Sequence, residues 1–188
     1  MYCVTYNNGP AEFDLSSHPR VNGIDRELPC MEDKDLSHFP NQGNPNGFKL
    51  GGQGNDNKAS GNYARHDTQL TNCLAVGHRK KGFDQNNNAG RMAISHCLAY
   101  RNGVNFGFGN PYPCTLDIRY CTSVEPLEGE HFTTSAECSI TQDYNSWNDN
   151  NKVNTTILES TDIVQAVRAE RQPDGALPTA LLKIMETF

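Results

Sequence analysis

Lys49, in the run NGFKLGG at 46–52, is the side chain whose setting invites chemistry. Asn46-Gly47 precede it and Gly51-Gly52 follow, small and turn-forming residues that leave its surroundings open to a large ligand. An exposed lysine can solubilise a surface, hold an acidic ligand or, when neutral, accept a proton. A second basic group, His78, Arg79, Lys80 and Lys81, stands within an otherwise acidic chain; it reads as a local patch for anions or as a solvated loop. Other chemistries lack their spacing. The six histidines form no HxH or HExxH pair, the seven cysteines form no CxxC knuckle, and no GxSxG, Walker or Rossmann run is present.

The elements that would carry Lys49 are set by repetition. NCLAVGHRKKGFDQ at 72–85, HCLAYRNGVNFGFG at 96–109 and YCTSVEPLEGEHF at 120–132 place Cys73, Cys97 and Cys121 at intervals of 24 residues, and the opening YCVTYNNGPAEFD repeats the phrase. A period of this length indicates a solenoid, whose units bury their apolar sides only by stacking. Short alternating strands between Gly and Asn turns favour a β-helix over leucine-rich repeats, whose LxxLxLxxN signature is missing. Aligned on their aromatics, Phe13-Asp14-Leu15, Phe48-Lys49-Leu50 and Phe83-Asp84-Gln85 become equivalent. The middle residue of each points outward, so Lys49 projects from a rigid strand. Cys73, Cys97 and Cys121 should stack inside, most cysteines serving as small buried residues, and DQNNNAG at 84–90 should form an Asn-rich turn.

The expected fold is therefore all-β, a right-handed single-stranded parallel β-helix over 1–150 with loop insertions at 16–46 and 53–62 that wall a groove. Residues 151–188, irregular or briefly helical, should wrap or cap the last rung. The chain opens inside a repeat phrase, so it reads as truncated at its N-terminus, with several rungs expected ahead of Met1.

Composition narrows the functions. A formal charge of −6 argues against nonspecific nucleic-acid binding. No apolar run approaches the ~20 residues of a membrane helix, and no signal peptide is visible. A single-domain monomer is expected.

The run GNPNGFKLGG at 43–52, followed by NCLAVGHRKKGFDQNNNAG at 72–90, HCLAYRNGVNFGF at 96–108 and RQPDGALP at 171–178, resembles polysaccharide lyase family 9, the pectate lyases and rhamnogalacturonan lyases. The resemblance runs in order from residue 43 to about 180, and the pairing of GFKLGG with GFDQNNN is its specific part. It implies a parallel β-helix, β-elimination on galacturonate-containing polymers (polygalacturonate or rhamnogalacturonan), Ca²⁺ dependence, secretion or a periplasmic or cell-surface location, and Lys49 as the base. Eliminating across C4–C5 of a uronate removes a proton α to a carboxylate, whose charge Ca²⁺ can neutralise through hard oxygen ligands. A lysine titrates near ~10.4 in water, so the base needs cations or desolvation around it, and any shortfall would give an alkaline optimum. Arg79, Lys80, Asn86, Asn87 and Asn88 are expected substrate contacts because they neighbour the Lys49 rung.

The chain departs from the family at the metal. No DD-x-x-D run precedes Lys49, so the ligands are unassigned, and Asp14 is either a remnant of the cluster or part of a long loop, depending on whether CVTYNNG directly precedes the GFKLGG rung. Asp14 and Asp84, if two rungs and ~9.6 Å apart, would also suit an inverting glycosidase pair, although the DD motif of polygalacturonases is absent. The alternative to a lyase is a noncatalytic β-helix that binds acidic carbohydrate through Lys49 and the basic patch.

Overall fold

The computed structural model describes residues 3–6, 46–52, 63–148 and, in the C-terminal segment, 163, 165–167, 169, 172–174 and 176–185. Among the described residues, twelve short strands form three parallel sheets. The first contains β1 (Cys3–Tyr6), β4 (Cys73–Val76), β7 (Leu98–Tyr100) and β10 (Thr122–Val124). In the second are β2 (Phe48–Lys49), β5 (Lys81–Asp84), β8 (Val104–Phe108) and β11 (Phe132–Thr134). The third holds β3 (Thr68–Thr71), β6 (Arg91–Ser95), β9 (Cys114–Arg119) and β12 (Cys138–Asp143). The chain visits the sheets in rotation, and each strand pairs in parallel with its counterpart one turn on, as a β-helix requires.

The register relates the first two strands to the repeat. Cys3 pairs with Cys73 while Phe48 pairs with Phe83, so β1 and β2 belong to one rung. Residues 7–45, Asp14 among them, run in the chain between these two strands. Asp14 itself, like most of both expected loop insertions, lies outside the described residues.

Inside the coil, like stacks on like. The rings of Phe48, Phe83 and Phe106 are parallel to within 7° and 5°, with centroids 5.1 and 4.8 Å apart. Trp147 sits on both Phe106 and Phe132, and its indole N–H donates to Gln142 Oε1. Such pairs contribute about 0.5–1.5 kcal/mol beyond the area they bury. Cys73, Cys97 and Cys121 are buried thiols, and each donates to the carbonyl two residues earlier, that of Thr71, Ser95 or Arg119. The neighbouring Cys121 thiol, together with burial, pushes the Cys97 thiol well above its ordinary range, so it is a packing group. Twenty-four residues after Cys121, Asn145 takes the equivalent place and bonds the backbone of Cys121 and Ile118.

Two cysteines depart from the expectation of simple burial. Cys114 and Cys138 are register partners on β9 and β12, with Cα atoms 4.5 Å apart, and they form a disulfide across adjacent rungs.

Described residues of the C-terminal segment pack on the outside of the first sheet. Leu74, Val76, Leu98, Tyr100 and Val124, on the outer side of the first sheet, share one apolar cluster with Ile163, Ala166 and Leu181, the last on α1 (Thr179–Met185). These three residues therefore lie along the flank of several rungs. This explains why CLAV is apolar at every position: all four residues of β4 are buried, two inward and two beneath the C-terminal segment. No helix among the described residues is long and apolar enough to cross a membrane.

Candidate functional site

Lys49 is exposed on the outer face of the second sheet, and its in-register neighbours are Asp84, then Gly107, then Thr133. Its strand has only two residues, so the bonds around it fix it in place. Gly47 N–H donates to Lys81 O at 2.8 Å and Leu50 N–H to Asp84 O at 2.9 Å. Asn88 Nδ2 holds Leu50 O at 2.7 Å and Asn86 Nδ2 holds Gly51 O. Gly52 has φ +118° and meets Asn86 closely, so it serves a backbone conformation and a close approach. No hydrogen bond or ion pair involves the Lys49 amine among the described residues.

Next to it lies a polar network anchored on Asp84, whose side chain is only 6% exposed. Asp84 Oδ1 accepts from Lys81 Nζ at 2.9 Å and from Asn86 N–H at 3.1 Å, while Oδ2 accepts from Asn46 Nδ2 at 2.8 Å. The other end of the Asn46 amide, Oδ1, accepts from Lys81 N–H at 3.1 Å. Lys81 Nζ also reaches Asn110 Oδ1 at 3.4 Å, and Asn110 Nδ2 donates to Asn87 Oδ1 at 3.1 Å. The Lys81 stem lies across Gly107, where an added Cβ would come within 2.5 Å of Lys81 Cδ. Gly107 thus makes room for the side chain of the preceding rung.

The residues expected to contact substrate are placed unequally. Arg79 and Lys80 are exposed at the corner between β4 and β5, whereas His78 is buried and Lys81 turns toward Asp84, so the basic run divides three ways. Asn86 and Asn87 are half-buried and occupy left-handed conformations, with φ 49° and 61°, in the expected turn. Asn88 is fully buried and its amide is saturated: Oδ1 accepts from His66 and Gly90 N–H, and Nδ2 donates to Leu50 and His66 carbonyls. It binds one rung to the next and does not face solvent.

Asn46, Lys81 and Asn110 were not singled out as single site residues by sequence reasoning. The alignment of Asp84 with Lys49 was the available signal for the network, because a side chain in register with Lys49 must neighbour it. Asn110 carries no such mark, since it lies on a turn outside the repeated phrases.

The described residues do not fit a resident Ca²⁺. No group of three or more His, Cys, Asp or Glu among them could hold a metal ion, and both Asp84 oxygens already accept from the protein.

A family model described as "Pel9A-like, right handed beta helix region" matches residues 1–121, and its description carries the hand that the sequence predicted. Pectate lyase L of Dickeya chrysanthemi is 32% identical over 184 residues, and Pectate lyase L of Dickeya dadantii (strain 3937) is 34% identical over 186. Each alignment covers 97% of this chain and 40% of the relative, so the chain spans about two fifths of their length. Pectate lyase PEL9 of Emericella nidulans is 32% identical over 139 residues, 73% of this chain and 31% of its own. No solved structure matches.

Proposed function

The chain belongs to the family of Pel9A-like right-handed β-helix regions, and we propose that it is part of a lyase that cleaves galacturonate-containing pectic polymers by β-elimination. The observation that carries this reading is the placement of Lys49: an exposed amine, without a protein partner among the described residues, on a strand held by bonds on both sides. The polymer would lie on the outer face of the second sheet. The neutral Lys49 amine would take the proton at C5 of a uronate, the C5–H electron pair would become the C4=C5 double bond, and the C4–O bond would break. The departing glycosidic oxygen would then gain a proton from water. Because Lys49 stands on a rung stacked over three others, the point from which its side chain leaves is set before substrate arrives, and placing a general base contributes to its advantage.

Arg79 and Lys80, exposed and without side-chain bonds or ion pairs among the described residues, are the groups we assign to uronate carboxylates at neighbouring positions of the polymer. Secretion is part of the same reading. The Cys114–Cys138 disulfide supports it, since such bonds persist in oxidising compartments.

The test is incubation of the protein with polygalacturonate and, separately, rhamnogalacturonan in the presence of Ca²⁺, following ultraviolet absorbance of unsaturated uronides. Absorbance growing with time on either polymer supports the lyase. Retention of oligogalacturonides without any unsaturated product would sink it in favour of the noncatalytic carbohydrate-binding alternative.

A further inference from the structure

Lys49 and Asp84 are register partners on adjacent parallel strands, so their side chains leave the sheet on the same face about 4.8 Å apart. A carboxylate that is 6% exposed needs a cation or several donors to be tolerated. Lys49 is the obvious candidate by position, yet the partner is Lys81, which reaches Asp84 Oδ1 at 2.9 Å by laying its stem over Gly107. Asn46 fills the other oxygen.

We propose that Lys81 is a positioning residue for Lys49: by occupying the Asp84 carboxylate, it prevents that carboxylate from capturing the neighbouring amine. A lysine paired with a carboxylate is held as an ammonium and directed along the sheet, where it cannot accept a proton from a ligand above. With Asp84 already satisfied, the Lys49 amine stays outward. Three features serve this arrangement together. Gly107 lacks the Cβ that would block the Lys81 stem, Asn110 Oδ1 supports its ammonium from the far side, and Asn46 ties the start of the Lys49 strand to the same carboxylate. The functional meaning rests on the reading of Lys49 as the base; the pairing itself does not.

The experiment measures Lys49 directly, without substrate. The 188-residue chain and the variants Lys81→Met, Lys81→Arg and Lys81→Met/Asp84→Asn are acetylated at one pH with an N-hydroxysuccinimide ester, and labelling of Lys49 is quantified by peptide mass spectrometry, with Lys183 as internal reference. Lys81→Met should slow Lys49 acetylation about tenfold or more, the expected effect of an opposite charge within ~4–6 Å. Lys81→Arg should leave it unchanged. The double variant should return it to the wild-type rate, because the carboxylate that captures the amine is gone. Unchanged labelling in Lys81→Met, or no recovery in the double variant, would overturn the proposal. So would loss of fold in both Lys81→Met variants by circular dichroism, which would assign Lys81 to folding. If labelling follows the prediction but the Lys49 amine proves dispensable for turnover, the base assignment fails and the guarding role of Lys81 stands.

Discussion

The first and second sheets belong to the same coil and share its interior, yet their outer faces are opposites. Outward from the first sheet stand Leu74, Val76, Leu98, Tyr100 and Val124, all buried beneath the C-terminal segment. On the second stand Lys49, Asp84, Gly107 and Thr133, with the Lys81 stem over Gly107 and its amine on Asp84. The inward residues stack alike on both sheets, cysteines on one and phenylalanines on the other. A solenoid thus separates two tasks by strand parity. Inward positions build the stack, and outward positions decide whether a face packs against its own chain or remains available to a ligand.

The sharpest way to break this contrast is to damage the covered face alone. Leu98→Ala removes a fully buried side chain between β7 and the C-terminal segment, and should cost about 2–5 kcal/mol in denaturant unfolding. Labelling of Lys49 below the unfolding transition should not change. If stability fell by less than ~0.5 kcal/mol, the C-terminal segment would not be packed as described.

The opposite change, at the exposed corner between β4 and β5, should touch function and spare the fold. Arg79→Ala/Lys80→Ala removes two exposed cations, and should alter stability by no more than ~0.5 kcal/mol. Binding of polygalacturonate, measured by calorimetry in low salt, should weaken and lose part of its salt dependence. Unchanged binding would detach both residues from the polymer path.

Much of this architecture was legible because its signals are local. The 24-residue spacing of Cys73, Cys97 and Cys121 and the alternation around Phe48 and Phe83 gave the coil, its inward stacks and the outward direction of Lys49. The turn at 84–90 could be read from its asparagines. What could not be read depended on partners distant in the chain. Asn88 looks like its neighbours Asn86 and Asn87, and only the presence of His66 and Leu50 on the preceding rung turns it inward. CLAV and CLAY are apolar at every position, a pattern that announces burial on both sides without naming what covers the outer one. Cys114 and Cys138 do carry the 24-residue interval, but they belong to the third sheet, outside the phrases that made the repeat visible. The Lys81–Asp84 pair required knowing that two residues three apart share a face, which simple strand alternation denies.

In the proposed lyase, the Lys49 amine, directed outward from a rigid rung, is the base of the elimination. This role is tested most directly by comparing unsaturated-uronide formation by the wild-type sequence and by Lys49→Met, both carried in a lyase-competent chain with Ca²⁺ supplied. The expected result is a rate loss of about 10²–10⁴-fold, as for removal of a general base, with the thermal midpoint unchanged because the side chain is exposed and unbonded among the described residues. Normal turnover by Lys49→Met would contradict it.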